Sequence, residues 1–383
     1  MRVLVVNTGS SSLKHTLVDS AAADPDAALL ASGEERWEPG DTPGKHGEVL
    51  RAALADGAGE ADAIGHRVVH GGARFEAPAR IDDDVRAGIA EAAELAPLHN
   101  RAALEGIDAA REAFPTLPQV ACFDTAFHRT LDAAAATYAI PGEWAREQGI
   151  RRFGFHGLNV SWCVERAHVL LGSARTRRLI VCHLGSGCSV SAVRDGRSAD
   201  TTMGFTPLDG IPMATRSGAL DPGLVLRLLQ TGERTPELLD DALNHRSGLL
   251  GISERSADLR VLLELAAGRD GDVPASDDDA ARAQLAIDVF VRGVASAVAA
   301  LSTSLGGLDA LVFTAGIGEH SAAIRTQVAA RLAHLGVALD PRRNEAAEPD
   351  AELTPEGAKI AVLALRAREE TVIARETAAL LEE

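Results

Sequence analysis

Arg2-Val3-Leu4-Val5-Val6-Asn7-Thr8-Gly9-Ser10-Ser11-Ser12-Leu13-Lys14-His15-Thr16-Leu17-Val18-Asp19 is an apolar run, a small polar loop and a second apolar run. Residues 2–6, rich in β-branched side chains, read as a buried strand, and 13–18 as a strand folding back on it. Backbone N–H groups and serine hydroxyls in such a loop can surround a phosphate. Gly9 permits close approach, Lys14 adds positive charge, and Asn7 offers an amide oxygen to a hard cation such as Mg²⁺. On this stretch alone an ordinary Ser/Gly hairpin turn is the alternative. The loop is not a P-loop: G-x-x-x-x-G-K-[ST] is absent, and Gly44-Lys45-His46 lacks both the first glycine and the hydroxyl.

The same design returns at residues 178–193. An apolar strand leads to His183-Leu184-Gly185-Ser186-Gly187 and a returning strand, so that His183 stands where Asn7 stands, 176 positions later (183 − 7). Two such hairpins predict two domains of similar topology whose turns clasp a polyphosphate. Between them, residues 20–62 read as a surface excursion with one short helix, and 63–72 as a strand ending in Gly71-Gly72. Asp82-Asp83-Asp84 opens a helix reaching Leu95, a second helix covers 102–113, 119–124 is a strand delivering Asp124, and 141–150 is a connector. Residues 277–305 form a long helix stopped by Gly306-Gly307. A strand at 309–314 precedes Gly316-x-Gly318-x-x-Ser321, a near miss to the dinucleotide fingerprint; it reads either as glycines for close packing or as a nucleotide-contacting turn. A strand near 360–364 and a helix from about Glu370 close the chain.

With 383 residues the chain suits two domains or three. Its net charge of −17 argues against nucleic acid or an anionic membrane as partner, so an anionic substrate needs a local cluster of Arg and Lys. Cys122, Cys163, Cys182 and Cys188 have no C-x-x-C spacing and read as buried free thiols in a reducing cytosol. No leader and no long uncharged apolar run is apparent, which predicts a cytoplasmic protein.

Several segments together resemble the acetate kinase family, within the group sharing the actin, Hsp70 and sugar-kinase fold. They are Asn7 to Lys14; His66-Arg67-Val68-Val69-His70-Gly71-Gly72; Cys122 to His128; Phe153-Gly154-Phe155-His156-Gly157; His183 to Gly187; Met203 to Leu208; Thr215-Arg216-Ser217-Gly218; and Phe313 to Glu319. The resemblance implies an α/β protein of two duplicated RNase H-like (actin-like ATPase) domains with an interdomain nucleotide cleft. The domains would be 1–150 plus 370–383, and 151–369, in a homodimeric assembly. It implies Mg²⁺-dependent (or Mn²⁺-dependent), reversible transfer of the γ-phosphoryl group of ATP to acetate, giving acetyl phosphate and ADP.

The resemblance also implies roles. Arg67 would hold the carboxylate of acetate, while Arg216 and His156 stabilise the transferring phosphoryl group. Asp124 matches an acid/base residue, although a carboxylic acid with a pKa near ~4.3 is already ionised at neutral pH, which leaves positioning open as its task. Val69, Leu98, Phe155 and Pro207 would line the acyl pocket. Asn7 and Glu369 would hold the metal, with Glu370 adjacent. Nucleotide contacts fall to Ser10, Ser12, Lys14, His183, Leu184, Gly185, Ser186, Gly187, Asp258, Leu259, Arg260, Gly316, Ile317, Gly318, Glu319 and His320. Ser186 and His320 replace asparagines usual at their positions, and 364–368 depart from the usual approach to Glu369. The rival readings are a propionate or butyrate kinase of the same fold, a nucleotide-binding regulator, and, on Gly316-x-Gly318 alone, a dinucleotide oxidoreductase.

Overall fold

The computed structural model describes residues 1–9, 12–36, 48, 51–52, 61–93, 97–232 and 234–382. Ser10 and the side chain of Leu98, both expected at the site, lie outside this description, as does most of 37–60. The chain divides into two compact units: Met1–Thr130 with Ile140–Trp162 and Arg368–Glu383, and Leu131–Ala139 with Cys163–Ala367.

The first unit is built on β1 (Arg2–Thr8), β2 (Ser12–Asp19), β3 (Leu29–Arg36), β4 (Ala63–Val68), β5 (Ala79–Arg80) and β6 (Gln119–Phe123). Their order across the sheet is β3-β2-β1-β4-β6-β5. β1 runs antiparallel to β2, with Asn7 opposite Lys14, and parallel to β4, with Val6 opposite His66. β4 is parallel to β6, with Arg67 opposite Cys122. The helices α1 (Asp83–Ala92) and α2 (Pro97–Ala113) follow β5, and Ala109 and Ala110 of α2 close a core with Leu4, Val6, Leu13 and Ile64. A C-terminal helix, Glu369–Glu382, packs against β1, β4 and β6. It sits directly on Gly65, where an added Cβ would lie 2.6 Å from Ile373 Cγ2 and 2.7 Å from Thr377 Oγ1.

The second unit repeats the plan. β7 (Arg178–Leu184), β8 (Cys188–Arg194), β9 (Arg197–Thr201), β12 (Ala310–Thr314), β13 (Ala351–Glu352) and β14 (Ala361–Leu365) lie in the order β13-β14-β12-β7-β8-β9; β10 (Arg269–Asp270) and β11 (Val273–Pro274) form a separate ribbon. Read from the other edge, this is the order of the first sheet, with the same alternation of antiparallel and parallel pairs. The fold is α/β with two duplicated RNase H-like, actin-like ATPase domains. The helix α3 (Asp277–Leu305) is capped by Ser276 and ends at Gly306 with φ +69°, as the sequence pattern predicts. By length and composition it could cross a membrane, yet Asp288 and Arg292 lie within its apolar stretch, so it is not an uncharged run. Its apolar face, including Ile287, Phe290, Val294 and Val298, is buried, and α3 packs on β7, β8 and β9 as a core helix.

Three local expectations need correction. Residues 29–36 form a strand rather than a surface excursion; β3 is a sheet edge with mostly exposed side chains, so it lacks the alternation that marks a strand. The connector at 141–150 contains a short helix, Gly142–Gln148, which buries none of its residues. α2 begins at Pro97, and α1 ends at Ala92; Leu95, where the pattern carried that helix, lies outside the described residues. All four cysteines are buried and none is in a disulfide.

Two buried imidazoles couple this fold to pH. His66 bonds Gln119 Oε1 at 2.9 Å, His128 bonds the Phe155 carbonyl at 3.0 Å, and burial pushes each pKa down from 6.5 to about 4. Unfolding therefore takes up protons between pH 6.5 and 4; the contribution is complete above 6.5 and is lost as pH falls through 4. Urea titrations across that window should show stability falling with acid, with a shallower slope in His128→Asn. Gly65→Ala should cost about 1–3 kcal/mol of stability for forcing a methyl group against Ile373 and Thr377, read as a lower urea midpoint at unchanged m-value.

Candidate active site

The C-terminal ends of parallel strands are where α/β sheets place ligands, and the first unit gathers its polar residues there. Asn7 lies one residue beyond the Val6–His66 pair on β1, and Arg67 one residue beyond it on β4. Asp124 follows directly on β6, its N–H bonded to the Val68 carbonyl at 3.0 Å. Arg67 Nη2 donates to Asp124 Oδ2 at 2.7 Å, and Nε lies 3.3 and 3.2 Å from the two oxygens of the same carboxylate. Arg67 Nη1 meets Glu369 Oε2 at 3.1 Å. Asp124 is 1% exposed, and Arg67 and Glu369 are each 16% exposed. Burial alone would lower the guanidinium pKa, but the two carboxylates overcome it and hold the charge more firmly than in water. Glu369 starts the C-terminal helix, while the preceding Arg368 is buried and pairs with Asp26.

His156 is held at the same place by its backbone. Its φ of +58° is uncommon for a residue with a Cβ, and Gly154 before it has φ +77°. The Gly157 N–H donates to the Asp124 carbonyl at 2.9 Å, and a Cβ on Gly157 would lie 2.1 Å from that oxygen. Only glycine lets the Phe155-His156-Gly157 turn close on Asp124, so the strained histidine and the buried aspartate are fixed together. Phe155 is buried, and Val69 half-buried.

Lys14 is exposed on β2, opposite Glu34, and Ser12 opens that strand. The Gly9 N–H donates to the Ser12 carbonyl at 2.7 Å, closing the first turn. The second unit's turn, residues 185–187, is closed by Gly185 N–H to the Gly187 carbonyl at 3.1 Å and follows His183 and Leu184, both buried at the end of β7. The Ala214 N–H reaches the Ser186 carbonyl at 3.3 Å, tying this turn to the segment that carries Arg216. Arg216 Nη1 lies 3.4 Å from the Pro207 carbonyl, and burial pushes the guanidinium pKa down. The Arg216 backbone leaves no room for a side chain at Gly248, where a Cβ would lie 2.7 Å from the Arg216 carbonyl.

Gly316 to His320, read from sequence either as glycines for close packing or as a nucleotide-contacting turn, belong to a short helix, Ala315–His320, following β12. Arg325, 2% exposed, pins it by donating to the Gly318 carbonyl at 2.9 Å and the Glu319 carbonyl at 2.7 Å. Glu319 Oε1 in turn accepts from the Ala367 N–H at 2.8 Å. Asp258 caps the helix Leu259–Ala266 and pairs with the exposed Arg260.

Sequence reading missed Arg325 and also Tyr138, the chain's one tyrosine. Tyr138 Oη accepts from the Phe205 N–H at 2.9 Å, and a Cβ on Gly204 would lie 1.9 Å from it. The residue types alone carry no signal for either role, because both depend on tertiary contacts. Among the described residues no three His, Cys, Asp or Glu side chains form a metal cage. Mg²⁺ needs none, since it binds through one or two protein oxygens together with water and phosphate. The donor set of Asn7 and Glu369 fits that use.

The model of the acetokinase family matches residues 47–375. An acetate kinase from a Nostoc species is 41% identical over 98% of each chain, and one from Methanosarcina acetivorans is 38% identical over 100% of this chain and 97% of that one. Among solved structures, a propionate kinase from Francisella tularensis superposes with a TM-score of 0.86 at 37% identity, covering 98% of each chain. The acetate kinase of Porphyromonas gingivalis gives 0.85 at 30% identity, covering 99% of each. A family model matched over most of the chain, and relatives near 40% identity over nearly its whole length, place the chain in the acetokinase family.

Proposed function

We infer that this chain is an ATP:acetate phosphotransferase that makes acetyl phosphate and ADP reversibly. The observation that carries the reading is the buried guanidinium of Arg67, oriented by Asp124 along one edge and touched by Glu369 at Nη1. Asp124 occupies Nε and one side of Nη2, so the remaining N–H bonds of Nη1 and Nη2 are the ones available to an acceptor carboxylate.

In the reaction an oxygen of acetate forms a bond to the γ-phosphorus. The bond from phosphorus to the β,γ-bridging oxygen breaks, and its electron pair leaves with ADP. The carboxylate arrives ionised, so no base is required. Asp124 then acts by holding the Arg67 fork in one orientation, which is the positioning role left open by the sequence. Arg216 and His156 are assigned to the charge on the transferring phosphoryl oxygens. Lys14, Ser10, Ser12, His183 to Gly187 and Gly316 to His320 are assigned to the nucleotide, with Asp258, Leu259 and Arg260. Asn7 and Glu369 would hold Mg²⁺, which would neutralise charge on the β- and γ-phosphates. Val69, Leu98, Phe155 and Pro207 are assigned to the acyl group. The likeness to a propionate kinase makes propionate the competing acyl substrate. The same reading carries a homodimer and a cytoplasmic location; for the location, the support is four buried cysteines outside any disulfide.

Trapping the product with hydroxylamine from ATP, Mg²⁺ and acetate, propionate or butyrate should give most hydroxamate with acetate. Failure to form any hydroxamate would sink the reading. Arg67→Ala and Arg216→Ala should each lower kcat/KM for acetate by about 10²–10³-fold, the scale of losing one charge-stabilising donor. Folded Arg67→Lys, which keeps charge without the planar fork, should remain well below wild type. Chelation should abolish turnover and added Mg²⁺ restore it; a chelator-resistant activity would remove the metal from the scheme.

A further inference from the structure

Beyond β4, the chain reaches Val69 and then His70, which is fully buried. The His70 N–H donates to Asn100 Oδ1 at 3.0 Å, and its carbonyl accepts from Asn100 Nδ2 at 2.8 Å. One buried side-chain amide thus satisfies both backbone groups of His70, acting as a strand partner where the sheet has run out. Asn100 lies on α2, two residues after Leu98.

The His70 ring has its own fixed partners. Nδ1 accepts the Gly72 N–H at 2.8 Å, which makes the imidazole neutral with its proton on Nε2. Its ring stands edge-on to Phe153 at 4.5 Å and to Phe155 at 5.3 Å. The adjoining Gly71 N–H donates to Thr125 Oγ1 at 3.0 Å, next to Asp124. Val69 by chain adjacency, the helix bearing Leu98 through Asn100, and Phe155 through the ring therefore all meet at one buried pair.

We propose that His70 and Asn100 are positioning residues that set the width of the acyl pocket and so its preference for chain length. The proposal rests on the acyl role assigned above to Val69, Leu98 and Phe155. Loosening the pair lets the walls separate and admits a longer chain, while the groups assigned to the phosphoryl group and the nucleotide keep their own supports at Gly157, Gly248 and Arg325.

The test compares kcat/KM for acetate and propionate in wild type, Asn100→Ala and His70→Leu, together with KM for ATP and thermal unfolding. In either folded variant the acetate-to-propionate ratio should fall by about fivefold, well inside what one methylene can contribute. The change should come mainly through KM for acetate, with KM for ATP held within about twofold. If Asn100→Ala does not fold, His70→Leu, which keeps both backbone bonds to Asn100, gives the same reading. A folded variant that loses acetate and propionate turnover equally would overturn the proposal, because a merely structural role lowers both together. Wild type lacking activity with every carboxylate would instead overturn the function itself.

Discussion

A guanidinium held between two carboxylates in a site shielded from water cannot lose one partner cheaply, and Arg67 is such a group. Removing Asp124 would leave a buried cation short of its best-oriented acceptor; removing Arg67 would strand a carboxylate that is 1% exposed. The three side chains come from the ends of β4 and β6 and the start of the C-terminal helix, so their contact depends on β4 and β6 being in register and on the helix lying flat on Gly65. The sheet register places the charges, and the charges penalise any departure from it.

Much of the remaining site is set by backbone fit. Gly157 and Gly248 stand where a methyl group would collide with a carbonyl oxygen of Asp124 or of Met213 and Arg216. Each close approach fixes the main chain beside a candidate site residue through fit alone. Arg325 does so by hydrogen bonds, its donors going to main-chain carbonyls of the Ala315–His320 turn and leaving Glu319 to meet Ala367. Polar side chains serve here mainly as braces for main chain.

The two hairpins and the parallel strands were legible in the sequence because buried parallel strands are written as unbroken apolar runs. The long α3 was legible with its cap and stop for a similar reason, since a face carrying Phe290, Val294, Val298 and Leu301 has a period that only a helix satisfies. β3 was not legible, because a strand exposed on most positions and charged at its end has no hydrophobic period to read. For the site, the residue types at positions 67, 124 and 369 were identified by family likeness alone. No local pattern announces that an arginine and an aspartate 57 residues apart will share a proton-rich edge. Tyr138, Arg325, His70 and Asn100 escaped assignment because tertiary hydrogen bonds, rather than composition or spacing, give them their work.

The first unit takes its opening strands from the beginning of the chain and its closing helix from residues 369–382. A ribosome delivers these parts in the order of translation, so the sheet carrying Arg67 waits for the last residues to emerge before Gly65 is covered. The second unit, whose main segment ends at Ala367, is fully delivered earlier. The unit that is begun first is therefore completed after the other, and until residues 369–382 have emerged its sheet lacks the helix that covers Gly65.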